Sequence, residues 1–272
     1  MRSTRSRLFA ALVAPLLVVA LAGCGGDESG SDDKAGGSSA GDAAPDGLSA
    51  GDEVEPDEFI ALMQDAMAEP TTMQTEMTMT ASGIEITSSG AIDYTTTPPS
   101  MALSMTMPML GDQPIDMRVI DGKAYMNMGD LTQNKFVVGD LDDPDSPLGD
   151  MSTLTDSMDP VHSFDAFNEG LEKVVYEGQE DVDGDSLAHY TLTLDTTKVS
   201  MLDTLGASAD AVPDSLEYDA WLDSDDRRRK VTLTMGDTAS VEINVSAWGE
   251  PVTIEAPPAD EITDAEMGGL GG

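Results

Sequence analysis

Two stretches carry residue types that could do covalent chemistry. Gly184-Asp185-Ser186-Leu187 sets a serine just after a turn, and Asp159-Pro160-Val161-His162 offers an imidazole. Ser186 as nucleophile with His162 as base would make a serine acyl hydrolase. The surroundings argue against it. A nucleophile turn joins a parallel strand to a helix. Asp183-Gly184 instead lies between two strand-like runs and reads as a hairpin, and Asp159-Pro160 reads as a helix start. Catalytic residues are therefore not assigned, and the chain is read as a non-enzyme. Asp181-Val182-Asp183-Gly184-Asp185 looks like half a calcium loop, but Ser186 and Leu192 stand where glycine and glutamate belong. Asp140, Asp142, Asp143 and Asp145 read as a solvated acidic loop. His162 and His189 lack a third nitrogen or sulfur ligand, so neither a metal nor a cofactor is expected. Arg227, Arg228, Arg229 and Lys230 form the only basic cluster and follow Asp223, Asp225 and Asp226. Charge pairing across a hairpin is the simpler reading; a docking point for a partner or a headgroup is the sharper one.

The strongest chemical signal is Cys24, the single cysteine in 272 residues. Arg2, Arg5 and Arg7 precede an apolar run from Leu8 to Leu21, broken only by Pro15. A basic start followed by a short apolar core is a secretory signal, and the run falls short of the roughly 20 residues a membrane span takes. Leu21-Ala22-Gly23-Cys24 closes it and is similar to the bacterial lipobox, whose cysteine takes a diacylglyceryl thioether and becomes the new N-terminus. Residues 1–23 then form the signal peptide and Cys24 the lipid attachment, palmitate among its expected acyl chains. One chain anchors marginally and two or more stably, at about 0.8 kcal/mol per buried CH2. A lone cysteine also excludes an internal disulfide.

The charge bounds the partners. The chain carries 52 acidic and 13 basic residues, a net charge of −39, and losing the three arginines of residues 1–23 makes it −42. Nucleic acid is excluded as a partner, because phosphate binding needs clustered Lys and Arg. Electrostatic docking on anionic headgroups is excluded too. Such charge favours a soluble monomer.

Periodicity places the elements. Residues 24–54, rich in Gly, Ser, Ala and Asp, read as a flexible acidic linker; the stretch Gly25–Gly51 would span on the order of 30 Å as a coil. Pro56 opens a helix with Phe59, Leu62, Met63, Ala66 and Met67 on one face. The period then switches to two, with runs through Met73–Met79, Ile84–Ile92, Met101–Met109, Ile115–Val119 and Ala124–Met128, then Lys135–Val138. Asp121-Gly122 marks a hairpin. A second helix is expected after Asp159, carrying Phe164 and Phe167, and a short third after Thr197, carrying Met201 and Leu205. Strands follow at Val174–Glu177, Leu187–Leu194, Leu216–Leu222, Val231–Met235 and Val241–Val245, with a closing strand at Pro251–Ile254. Residues 55–262 are read as one α+β domain, and residues 263–272 as a disordered tail. The domain is an antiparallel sheet of about ten strands with two or three helices.

Ten of the 18 methionines fall between Thr71 and Met128, mostly at alternate positions. Val and Ile propagate strand better than Met. Met is long, unbranched and polarizable, and it adapts to irregular partners. One reading is a core filled with Met; the other is a deformable wall around a flexible apolar ligand. On the second, Met73, Met77, Met79, Met101, Leu103 and Met105 line a cavity, with Met107, Met117 and Met126. Phe164, Phe167, Met201 and Leu205 face them from the helices.

The layout as a whole resembles a known family. The order of Val182-Asp183-Gly184, His189-Tyr190-Thr191-Leu192, Tyr218-Asp219-Ala220-Trp221-Leu222-Asp223 and Trp248-Gly249-Glu250-Pro251-Val252-Thr253-Ile254 carries it. With the lipobox and the methionine-bearing strands, this resembles the actinobacterial LppX/LprAFG lipoproteins over most of residues 55–260. The resemblance implies a half-barrel, similar to the LolA/LolB carriers, curved around helices and enclosing an apolar cavity for acyl chains. The implied role is binding and carrying lipids or glycolipids at the outer face of the cytoplasmic membrane, in the cell envelope, with room for a membrane transporter as partner. The competing reading is an envelope lipoprotein with a packed core that serves as a protein-interaction or structural module. By contrast, the GDSL hydrolases named for the Gly184–Leu187 pattern carry their serine block near the start and their histidine near the end. Here His162 precedes Ser186.

Overall fold

Alternating side chains with one apolar face can be buried only by stacking many strands into one surface that something covers or that curls on itself. The computed structural model describes residues 47–69, 71–81, 83–108, 113–141, 143, 146, 148, 170–198, 213–235 and 239–263. Its strands in chain order are β1 (Asp52–Val54), β2 (Thr72–Ala81), β3 (Ile84–Asp93), β4 (Ser100–Thr106), β5 (Ile115–Ile120), β6 (Lys123–Asn127) and β7 (Phe136–Asp140). These are followed by β8 (Leu171–Val182), β9 (Asp185–Asp195), β10 (Ser215–Leu222), β11 (Arg228–Met235), β12 (Ala239–Ser246) and β13 (Ile262–Thr263). One α-helix lies among the described residues, α1 (Pro56–Ala66).

All thirteen strands belong to one curved, open sheet in the order β1-β8-β9-β10-β11-β12-β2-β3-β4-β5-β6-β7-β13. Two sequential meanders, β2–β7 and β8–β12, meet where β12 pairs antiparallel with β2 over eight residue pairs, Ala239↔Ala81 to Ser246↔Gln74. The parallel β13–β7 pair is the exception to an otherwise antiparallel sheet. Tight turns join neighbours. Asp121-Gly122 and Asp183-Gly184 both take positive φ at both residues, which fits the right-handed twist of flanking strands.

Several expectations need correction. The sheet has thirteen strands, not about ten, because the edges are extended by β1 and β13, three and two residues long and too short to show periodicity. β1 occupies the last residues of the segment whose composition reads as linker. One α-helix is described, not two or three; the helices expected after Asp159 and Thr197 lie outside the described residues. The closing strand expected at Pro251–Ile254 is absent: that segment pairs with no strand, and Pro251 cannot donate to a ladder.

The larger core lies under α1. Pro56 occupies its first turn with Asp57 and Glu58, matching the positive end of the helix dipole. Phe59, Ile60 and Met63 are buried against Val174, Tyr176, Tyr190, Leu192, Leu216 and Leu222 of β8–β10. Tyr190 is held between the Phe59 ring, 5.0 Å away, and the Tyr176 ring, 5.3 Å away. A second core gathers Met101, Val119, Ala124 and Leu141 on the other wing.

Leu222 is fully buried. Leu222→Ala should lower stability by about 2–5 kcal/mol, whereas Leu131→Ala, at a 63% exposed side chain, should change it by less than about 0.5 kcal/mol. Urea titration monitored by far-ultraviolet circular dichroism checks both.

Burial raises the phenol pKa of Tyr94, Tyr190 and Tyr218, the last to about 12. The fold keeps these phenols protonated where the unfolded chain loses the protons near its ordinary value of about 10. The unfolded state then holds fewer protons, so stability is intact below about pH 10 and falls as pH rises further. Urea midpoints measured across that range should drop, with phenolate absorbance appearing together with unfolding.

Candidate functional site

Strand pairing puts the methionines on one face. Met79 pairs with Val241 on one side and Ile86 on the other, and Met77 with Ile243 and Ser88. Met105 is opposite Ser88, Leu103 opposite Gly90 and Met101 opposite Ile92. The row continues through Met101↔Val119, Leu103↔Met117, Met117↔Met126 and Met126↔Val137. On the other wing Ile243 pairs with Val231 and Val231 with Ala220. Directly opposed residues share a face, so the apolar surface under α1 continues into the methionine wall, with Thr75 and Ser88 as small polar members of it.

The degree of burial changes along that face. Met73 and Met101 are buried, but Met77, Met79, Met105, Met117 and Met126 are only partly covered, as are Val231, Leu233, Val241 and Ile243. Ile84, at the end of β3 on the same face, is exposed. Met107 follows the end of β4 and is partly covered. Gly90 has a steric role here: a Cβ built on it would run into Ala102 O and Leu103. Phe164, Phe167, Met201 and Leu205 lie outside the described residues, as do Leu21, Ala22, Gly23 and Cys24. The opposite face is polar, with Gln74, Glu76 and Thr78 on β2 all exposed.

The basic cluster resolves into four different fates. Arg227 lies 3.8 Å from Asp225, Arg229 2.9 Å from Asp185 and Lys230 3.0 Å from Glu242. Only Arg227 pairs with an aspartate of the preceding turn as expected; Arg229 and Lys230 pair instead with carboxylates of β9 and β12. Arg228 differs: its Nε is buried without a hydrogen-bond partner. Burial works against its charge and lowers the guanidinium pKa, while the phenols of Tyr94 and Tyr218 favour the charged form. A bulge decides which arginine goes inward. Trp221 pairs with Lys230 but Leu222 pairs with Arg228, skipping Arg229. The sequence shows the run of basic residues but not the skipped register.

Of the two candidates for covalent chemistry, Ser186 is among the described residues. Ser186 is the second residue of β9, next to the hairpin turn as expected, and its hydroxyl donates to Gln179 Oε1. His162 lies outside the described residues. His189 is on the polar face, stacked on Trp221 at 4.4 Å, with Nδ1 3.3 Å from Glu180 and Nε2 3.1 Å from Asp219. Thr191 donates to the same Asp219 carboxylate and Trp221 Nε1 to Glu180. Both ring nitrogens are thus occupied by carboxylates. Among the described residues no group of three or more His, Cys, Asp or Glu is placed to hold a metal ion. Of the acidic-loop residues, Asp140 and Asp143 are described, and Asp142 and Asp145 are not.

A cleft of about 520 Å3 lies between α1 and the β10–β11 turn, lined by Glu58, Ala61, Leu62, Asp65, Ala66, Asp225 and Asp226. Burial and the neighbouring Asp223 and Asp225 raise the Asp226 carboxyl pKa. Four carboxylates make the cleft a poor place for an acyl chain. No helix among the described residues is long and apolar enough to cross a membrane.

A curved open sheet with one helix over one wing and an apolar face continuing beyond it defines an α+β curved-sheet protein. The family model described as LppX_LprAFG lipoprotein matches residues 55–254, and the chain belongs to that family. No curated relative matches the sequence. Among solved structures it is similar to the lipoprotein LppX of Mycobacterium tuberculosis, with 19% identity over 73% of this chain and 97% of that one, TM-score 0.50. It is also similar to LprF from Mycobacterium bovis, with 15% identity, 76% and 99% covered, TM-score 0.52. A LolA superfamily protein from Nitrosomonas europaea matches over 74% of this chain and 95% of that one at 6% identity, with a TM-score of 0.27 too low to carry an argument. At these identities the likeness establishes the fold.

The register makes a testable claim about faces. Met77→Glu should cost about 2 kcal/mol or more by placing a carboxylate on the apolar face. Thr78→Glu, one residue along and exposed, should change stability by less than about 0.5 kcal/mol. Comparing the two urea midpoints checks it.

Proposed function

We propose that this lipoprotein is a carrier anchored to the membrane through acylated Cys24. It takes lipid or glycolipid acyl chains against its methionine-rich face and moves them at the outer face of the cytoplasmic membrane. The observation that carries this reading is the continuous apolar face, on which Met77, Met79, Met105, Met117 and Met126 are neither packed away nor suited to water. Each CH2 an acyl chain buries there contributes about 0.8 kcal/mol. Unbranched methionines adjust to a chain with many conformers more readily than Val or Ile would. Family membership supports export and anchoring, and the role calls for no catalysis. A membrane transporter that loads or unloads the carrier fits the same role. The net charge of −42 left after loss of residues 1–23 keeps the body off anionic headgroups, so anchoring falls to the lipidated cysteine.

The full chain carrying Cys24→Ala has no acyl group of its own. Native mass spectrometry of that protein should show adducts of lipid mass that leave on denaturation. Fractionation of cells should find it released from the membrane. A protein that is always lipid-free, even after incubation with envelope lipid extract, overturns the carrier reading.

A further inference from the structure

Arg228 sits on the apolar face at the row shared with fully buried Leu222, put there by the bulge that turns Arg229 outward. Its Nε is buried and makes no hydrogen bond, whereas Arg227, Arg229 and Lys230 all pair with carboxylates. Among the described residues no carboxylate pairs with this half-buried arginine, which is unusual in so acidic a chain. Arginine stays protonated in proteins, and an unpaired buried charge is strongly unfavourable unless something pairs with it. Tyr218 lies on the same face two rows along β10, and Tyr94 just past the end of β3. Phenol hydroxyls and a guanidinium are all donors toward an oxyanion.

We propose that Arg228, with Tyr94 and Tyr218, receives the carboxylate of a long-chain acid whose hydrocarbon lies along the methionine-bearing face. This rests on the acyl-chain reading above and adds the head chemistry to it. One guanidinium matches the single negative charge and the paired oxygens of a carboxylate in fork geometry. The acidic exterior repels anions, so any preference for the ionised head must come from within.

The test uses the full chain with Cys24→Ala, stripped of lipid, and compares oleate with oleyl alcohol, which has the same chain and a neutral head. Trp248 donates its indole N–H to the Arg228 carbonyl at 3.1 Å, so its fluorescence reports on the site. Oleate should bind at least about tenfold tighter than the alcohol, the ratio expected from one charge-assisted interaction. Arg228→Met should remove that preference, keep alcohol binding, and melt no lower than the parent when unliganded. Should Arg228→Met fail to fold, Tyr94→Phe/Tyr218→Phe should weaken oleate several-fold and leave the alcohol unchanged. Equal affinity for the two ligands, or a preference that survives in both variants, overturns the carboxylate assignment while leaving the acyl-chain reading standing. Binding of neither ligand overturns both. Displacement of oleate by an equal concentration of acetate would show a site for free carboxylates and overturn the lipid assignment.

Discussion

The ladder between β12 and β2 is the interaction on which the rest of this structure depends. It joins strands some 160 residues apart in sequence and turns two meanders into one sheet. Its register sets Met77 beside Ile243 and Met79 beside Val241. A slip of one residue would move every side chain of a strand to the other face, setting methionines in water and Glu76 and Thr78 in the interior. Hydrophobic patterning on both strands holds the register, and the central position of the pair keeps its hydrogen bonds away from the sheet edges.

The two wings meet their burial requirement differently. On one, α1 lays Phe59, Ile60 and Met63 over β8–β10, and burial of Tyr190 and Tyr218 there raises their phenol pKa. On the other, Met101, Val119 and Ala124 make a smaller core, and much of the remaining face is only partly covered. A face finished on one side and unfinished on the other fits the proposed binding of flexible apolar molecules. Full packing would leave no room, and full exposure would drive aggregation. The polar face and the heavy negative charge oppose association through the outside of the sheet.

Electrostatics divide along the same line. The ion pairs of Lys173, Lys198, Arg229 and Lys230 lie on or near the surface, where each contributes little. His189 is fixed between Glu180 and Asp219 against Trp221, which gives the polar face a rigid cross-strand cluster and leaves the imidazole without a free nitrogen. Arg228 alone among the basic cluster faces the apolar side, half-buried with its Nε out of water, and there the same charge is screened less than at the surface.

Much was legible from residues alone. The helix at Pro56, the period-two runs from Met73 to Met126 and the Asp-Gly turns are local signals, set by dihedral preference and the alternation of side chains across a pleat. Net charge and the basic start before Leu8–Leu21 are likewise properties of the chain itself. The family resemblance read from ordered short motifs agrees with the match over residues 55–254. What the sequence could not specify was anything that depends on partners distant in the chain. β1 and β13 are too short for periodicity and exist because β8 and β7 offer them open edges. The continuity of the methionine face comes from pairings between strands, not from any one strand. The exchange of Arg229 for Arg228 on the apolar face arises from a single skipped pair opposite Leu222. Local preference determined which residues alternate; only the tertiary register decided which face each alternation shows to the interior.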